Sequence, residues 1–285
     1  MSPDRGAPGQ GAARLVAIGT IAQTLAGGTV HLWGTGLDAS INRQAPGEPW
    51  APPPDTRFVV HALRGPRTAA ALAAHGIAAP AVWGDPGYLA PRLWPDAAAE
   101  KTHDLGVVLH LSELATRGPA AVPRPEHRRY SIPADWAGRV RLITMDTAAS
   151  LAGIAAKVAE IAACRRVLST SLHGLVIADA YAIPAAWFAL HGEGPVRLAI
   201  DDPDARIDHR FRDLYAGLGR AEVTVFGTPR PAATDWAAAM RCLDTLEPSG
   251  FDPAPLIDAF PGPLAPHAHA ARWPSPAHAL EETTL

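Results

Sequence analysis

Short apolar runs that end on glycine or a polar corner recur along this chain, and helix-suited stretches alternate with them. "RLVAIGT" (14–20), "TVHLWGTG" (29–36) and "RFVVHA" (57–62) read as short strands, and the Pro-rich "QAPGEPWAPPPD" (44–55) between the last two reads as loop. "RGPRTAAALAAHGI" then supplies Pro66 for a first helical turn, alanines to propagate it and Gly76 just past its end. "AVWGDP" (81–86) is expected to form a further strand. Strand, helix and strand joined by short links specify a parallel sheet of α/β type.

The alternation resumes after a linker at 90–103. "DLGVVLHLS" (104–112) is a continuous apolar strand, and 117–138, rich in Pro, Arg and Gly, is expected to be irregular. "RVRLITMD" is a strand. Asp146 or Thr147 can cap the helix that follows, in which Leu151, Ile154, Val158 and Ile161 form the apolar stripe. "RRVLSTS" (strand), "LHGLVIADAYA" (buried helix), "AAWFAL" (strand), "ARIDHRFRDLYAGLG" (helix), "EVTVF" (strand) and "DWAAAMRCLDTL" (helix) complete the series. The expected organisation is a disordered tail over 1–13, an N-terminal Rossmann-like domain over 14–100, a C-terminal one over 104–264 and a frayed tail over 265–285.

Composition removes several classes of function. A net charge of −3 argues against a nucleic-acid partner. The polar start lacks the apolar core of a signal peptide, and no later run approaches a membrane span, so a soluble cytoplasmic protein is expected. The two cysteines, Cys164 and Cys242, have no metal-ligand spacing and are expected to be reduced and buried. His267, His269 and His278 lie in the tail and are read as solvated. No metal ligand set is expected.

In parallel sheets of this class, ligands bind outside the carboxyl ends of strands. Four such ends carry suggestive residues: Gly34-Thr35-Gly36, Arg64-Gly65-Pro66, Gly84-Asp85-Pro86 and Ser171-Leu172-His173-Gly174. The last lies between two segments that must be buried. Its glycine permits close backbone approach, the helix start favours an anion, and the histidine can move a proton near neutral pH. Ser171 acting only as a helix cap, with His173 bonded to backbone, is the structural alternative. Arg64, between a strand and a helix start, suits bidentate binding of carboxylate or phosphate. Arg67, already inside the helix, reads as solvated. Asp85 before Pro86 suits a turn bond as well as a ligand contact. Gly34 and Gly36 are candidate contacts, although "GTG" is too short for a dinucleotide fingerprint. Arg210 stands beside Phe211 on its helix.

With these residues in view, the chain resembles the polysaccharide pyruvyl transferase family over about Leu15–Leu264. "CRRVLSTSLHGLVIADAYAIPAAWF" (164–188) resembles that family's valine-serine-serine-leucine-histidine-glycine block. "HALRGPRTAAALAAHGI", "WGDPGYLAP", "AIGTIAQTL…VHLWGTGLD" and "HRFRDLYAGLG" resemble further family blocks, in the family's order. The resemblance implies two Rossmann-like domains facing a cleft, glycosyltransferase-B-like, with the N-terminal domain shortened because the family carries a further segment before the first strand. It implies transfer of pyruvate from phosphoenolpyruvate, the donor substrate, to two hydroxyls of a sugar as a cyclic ketal, without a cofactor. The acceptor would be a saccharide or lipid-linked oligosaccharide, which can bring the protein to the inner face of the membrane. Donor binding and proton transfer fall on His173 and Arg64, with backbone from Leu172. The lysine of the family's last helix block falls on Arg210. Two other readings stand beside this one: a nucleotide-sugar glycosyltransferase of the same fold, for which only Asp179 and Glu193 are near enough to serve a ribose, and a truncated non-catalytic relative.

Overall fold

The computed structural model describes residues 13–118 and 120–274. Apart from Ala13, the disordered tail expected over 1–13 lies outside the described residues; so do 275–285 of the expected C-terminal tail, with His278. The strands are β1 (Arg14–Val16), β2 (Gly28–Trp33), β3 (Thr56–Ala62), β4 (Leu105–Leu109), β5 (Val140–Thr144), β6 (Val167–Ser169), β7 (Ala185–Ala189), β8 (Gly194–Ala199) and β9 (Glu222–Gly227). The helices are α1 (Pro66–Ala73), α2 (Ala90–Leu93), α3 (Leu151–Ala162), α4 (Leu172–Ala180), α5 (His209–Gly217), α6 (Trp236–Leu243) and α7 (Ala254–Asp258). Among the described residues, no helix is long and apolar enough to cross a membrane.

The chain divides into two compact units. One takes the described residues up to Pro86, Asp208–Gly219 and Pro253–Ala265; the other takes Gly87–Ile207, Arg220–Asp252 and the described residues from Pro266 onward.

In the first unit, β1, β2 and β3 lie side by side, all parallel. Val16, Val30 and Leu32 turn to a core shared with Trp50, Leu63 and Leu72 of the following loop and helix. At the end of β2, Trp33 donates its indole N–H to Leu256 O at 2.7 Å and meets Phe260 edge-on, so α7 closes this part of the sheet. Residues 81–86 do not form the expected strand. Trp83 makes one parallel bridge to Leu63, and the chain then turns at Gly84 (φ 149°) into Pro86, which has no N–H for a ladder.

The second unit holds a six-stranded sheet in the order β5-β4-β6-β7-β9-β8, parallel except for β8. Every residue of β4 is buried, as expected of a strand covered on both faces. Leu105, Val107 and Leu109 pack with Phe188, Phe226 and Trp236, whereas Val108 packs with Val158, Ile161 and Ile177. β8 was not anticipated; its alternation of Val196 and Leu198 with Pro195 and Arg197 is the period-two signal that betrays it. Two expectations for α3 are corrected. Ser150, not Asp146 or Thr147, caps it, accepting from Gly153 N at 3.1 Å, and Ile154 is 43% exposed because the buried face is carried by Val158, Ile161 and Ala162. Residues 266–273, within the tail expected to fray, lie along α2: Arg92 donates to Ala268 O and Ala270 O, and Trp273 N donates to Arg92 O. His267 and His269 are exposed there. Cys164 and Cys242 are buried free thiols, and burial pushes Cys164 up to about 11.

Candidate active site

β4 connects to β5 on one side, and the chain then returns to place β6 on the other side of β4. A reversal of this kind opens a crevice at the carboxyl ends of the two strands. The Ser-Leu-His-Gly corner stands there, between the end of β6 and the first turn of α4. Ser169 organises it: its hydroxyl accepts from Ser171 N at 3.0 Å and donates to Ser171 O at 2.6 Å. Gly174 is required because a Cβ would overlap Ser169 Oγ and crowd Val108, so this glycine seats α4 on the sheet instead of admitting a ligand. Ser171 is the N-cap residue, yet its hydroxyl makes no capping bond. Ser171 thus does not serve as the side-chain cap that the structural alternative supposed. Leu172 is buried, and His173, in the first turn, is half-buried.

Beside this corner, β4 is followed by His110, whose backbone N donates to Thr170 Oγ1 at 2.8 Å. The loop carrying His110 is anchored by Glu113, a carboxylate 2% exposed. Glu113 accepts from Tyr130 Oη at 2.9 Å and from Arg230 Nη2 at 2.6 Å, and His127 Nδ1 lies 3.3 Å away. Burial pushes the Glu113 pKa up, but Arg230 and Tyr130 outweigh it and hold the group below its ordinary range. Burial keeps His127 below its ordinary value. Beside them Arg129, fully buried, donates to Phe188 O and Ala189 O, both at 3.0 Å, and lies over the Phe188 ring; burial pushes its pKa down to about 10. None of these residues was singled out from the sequence. His110 lay inside an apolar run, and Glu113, Arg129 and Arg230 come from segments read as irregular or ignored.

The remaining candidates gather in the first unit, at the carboxyl ends of β2 and β3. Arg64 is fully buried. It donates to Thr20 Oγ1 at 2.5 Å and pairs with Asp213 Oδ2 at 3.3 Å. Burial pulls its pKa down, and Asp213 and then Asp85 oppose that pull. Asp85 is also fully buried. Asp213, from α5, accepts from Arg67 N (3.0 Å), Thr68 N (3.1 Å) and Thr68 Oγ1 (2.7 Å), so its carboxylate occupies the anion position at the start of α1. Gly34 sits at φ 86°, where a Cβ would overlap Pro86, and a Cβ on Gly36 would overlap the Arg64 guanidinium. The "GTG" turn is thus built around Arg64. Arg210 is held by Asp208 through Nε at 3.0 Å and Nη2 at 2.9 Å, and its charge acts on Arg64.

The nine residues singled out from the sequence therefore form two groups: Ser171, Leu172, His173 and Gly174 in one unit, and Gly34, Gly36, Arg64, Asp85 and Arg210 in the other. Asp179, the acid weighed for a ribose, lies near the carboxyl end of α4. It accepts from Tyr88 Oη at 2.7 Å and from the Ser249 N–H and hydroxyl, which fixes a turn. Glu193 is exposed in the loop before β8. Among the described residues, no three His, Cys, Asp or Glu side chains group as a metal site.

Residues 55–192, which run from β3 through β7 and include the Ser-Leu-His-Gly corner, match the profile of a family described as Polysaccharide pyruvyl transferase. No curated protein and no solved structure gives a significant match to the chain.

Proposed function

Because residues 55–192 belong to the polysaccharide pyruvyl transferase family, we propose that the chain transfers pyruvate from phosphoenolpyruvate to two hydroxyls of one sugar in a polysaccharide precursor, forming a cyclic ketal. The observation that carries this reading is the placement of the Ser-Leu-His-Gly corner at the strand-order reversal, with the Ser171 hydroxyl making no capping bond at the start of α4. A helix start of this kind suits an anion, and phosphoenolpyruvate offers a carboxylate and a phosphate.

The reaction assigns each proton. His173, as imidazolium, gives a proton to the enol CH2 and makes C2 electrophilic. One sugar hydroxyl adds to C2 and returns a proton to the imidazole. The C2–O bond to phosphate then breaks, its electron pair leaving with phosphate, and the second hydroxyl closes the ketal while its proton leaves with the phosphate. Ser171 and the backbone of Leu172 are assigned to the donor carboxylate. Arg64, having no exposed surface, takes a positioning role: with Asp213 it holds the Gly34–Gly36 turn, and Asp85 and Arg210 complete that charge cluster. Under this reading the two units are Rossmann-like domains of glycosyltransferase-B type in a cytoplasmic enzyme, and the acceptor is a saccharide or lipid-linked oligosaccharide. The role of Asp179 in a turn removes the residue best placed to favour a nucleotide sugar.

Phosphate release from phosphoenolpyruvate in the presence of candidate glycan acceptors tests the proposal, together with melting curves. Ligand at one hundred times its dissociation constant contributes about 2.7 kcal/mol, so phosphoenolpyruvate is expected to raise the melting midpoint by about 5–10 °C. A shift of that size with a nucleotide sugar, and none with phosphoenolpyruvate, would replace pyruvyl transfer by glycosyl transfer.

A further inference from the structure

β5, an outer strand of the six-stranded sheet, ends at Thr144, and the chain then loops through Asp146 and Thr147 to the start of α3. An open crevice of about 440 Å3 lies here between strand and helix, in the second unit. Its walls are fastened. A Cβ on Gly153 would overlap the Ala148 carbonyl, and Thr147 Oγ1 donates to Gly153 O at 3.1 Å, so the loop lies against the first turn of α3. Asp146 Oδ2 accepts from Gly118 N at 2.5 Å. Glu160 accepts from Arg141 Nε at 3.2 Å and Nη2 at 3.1 Å on one oxygen, and from Lys157 Nζ at 2.6 Å on the other.

Two cations, Arg141 and Lys157, and two carboxylates, Asp146 and Glu160, thus line one crevice and cancel. A charged ligand of either sign meets a like charge there. A neutral ligand rich in hydroxyls suits it better, because each hydroxyl both donates and accepts. The crevice offers both kinds of partner. Among the described residues, Asp146 Oδ1 and the Thr144 hydroxyl make no hydrogen bond, and Arg141 Nη1 and two of the Lys157 protons are likewise uncommitted. Leu142 and Ala156 supply apolar surface for the C–H groups of a sugar ring. The crevice also stands near the transfer corner. β5 and β6 flank β4, with Thr144 beside Leu109 and Ser169 beside Val108. Two strand spacings separate these carboxyl ends by about 10 Å, a distance that a short oligosaccharide spans.

We propose that the crevice between β5 and α3 is a subsite for a neutral sugar residue of the acceptor, close in the same glycan to the sugar that takes the pyruvate. Asp146 and Thr144 receive its hydroxyl protons, and Arg141 and Lys157 donate to its oxygens. The acceptor is then recognised as an oligosaccharide and not as a single sugar. That the occupant is the acceptor rests on the pyruvyl-transfer reading; the affinity of the crevice for neutral glycans does not.

The test applies wild type, Asp146→Asn, Arg141→Ala and His173→Gln, each shown to be folded by circular dichroism, to an array of neutral mono-, di- and trisaccharides and their sulfated and uronate-bearing counterparts. Asp146→Asn keeps an acceptor for Gly118 N, and the Arg141 side chain is exposed, so neither change should unfold the chain. Wild type should retain neutral di- and trisaccharides. The half-saturating protein concentration should rise by about tenfold to a hundredfold in Asp146→Asn and in Arg141→Ala, the range of a hydrogen bond to a charged group. It should stay unchanged in His173→Gln. No neutral glycan held by wild type, charged glycans alone held, or binding that survives both crevice variants overturns the subsite. Phosphate release from phosphoenolpyruvate and its effect on the melting midpoint judge the transfer reading separately. Glycan binding that depends on Asp146, with no response to phosphoenolpyruvate, supports the subsite and removes pyruvyl transfer; the converse result removes the subsite alone.

Discussion

Replacing Asp213 by alanine should cost more stability than any other single change in the first unit. The carboxylate is 2% exposed and accepts three hydrogen bonds, two from the first amides of α1 and one from Thr68 Oγ1, while pairing with a fully buried Arg64. Removing one partner of a buried pair costs about 3–5 kcal/mol, because the other charge is left uncompensated. Losing a helix cap costs about 1 kcal/mol. Both losses fall on one carboxylate and so are not additive; a total of about 4 kcal/mol is expected, or a drop in melting midpoint of roughly 8–16 °C at 2–4 °C per kcal/mol. Asp213→Asn keeps an acceptor for the α1 amides and loses the charge, so it should fall between wild type and alanine. Arg64→Met should cost less than Asp213→Ala, since Asp213 retains its three donors whereas Arg64 without Asp213 keeps the Thr20 hydrogen bond and only the weaker pull of Asp85. Melting followed by circular dichroism, with urea titration to convert midpoints to free energy, measures all three. A loss under about 1 kcal/mol in Asp213→Ala, or Arg64→Met proving the costlier change, would refute the account of this cluster as a cap and a counter-charge in one group.

His173→Gln should lower turnover by about 10²–10⁴-fold with the fold intact, the usual loss on removing a general acid; near-normal phosphate release from a folded variant would remove the proton-transfer role. Gly36→Ala should destabilise by displacing the Arg64 guanidinium from the turn, and an unchanged urea midpoint would contradict that packing. Acid should act on the second unit in two stages. His127 has a folded pKa below its unfolded value of about 6.5, so the unfolded chain binds the proton first and stability falls as pH drops through 6.5 toward the folded pKa. Glu113, held below the unfolded value of about 4.3, contributes stability above that pH and loses it as pH falls through its folded pKa. His127→Asn should therefore gain stability relative to wild type between pH 6.5 and 5; parallel urea-midpoint curves would rule this out.

What was legible in the chain was local. β4, β6 and β7 are apolar runs buried on both faces, and such runs announce themselves without knowledge of the pairing. The Ser-Leu-His-Gly corner was legible for the same reason, since a polar interruption between two buried segments must face somewhere. His110 was not, because one polar residue at the end of an apolar strand gives no sign of which strand will lie beside it. Nor was the partnership of Arg64 with Asp213, which depends on a helix far along the chain. Gly174 was read as a position that needs close backbone approach, and its close neighbours are Ser169 and Val108; Gly36 was read only as a candidate contact, and its close neighbour is the Arg64 guanidinium. β8 escaped because it is antiparallel and half-exposed, so its signal was alternation and not a run.

The cap that Asp213 places on α1 comes from 145 residues beyond Thr68. During synthesis at about 5–20 residues per second, roughly 150 residues take about 7–30 s to follow. For that interval the strands of the first unit have left the ribosome while Arg64 lacks its counter-charge and α1 lacks its cap. α7, which closes over Trp33, arrives later still. The N-terminal sheet is thus made first and completed last, and a nascent chain halted before α5 should be open to proteolysis within 14–86 and become resistant once residues 209–258 have emerged.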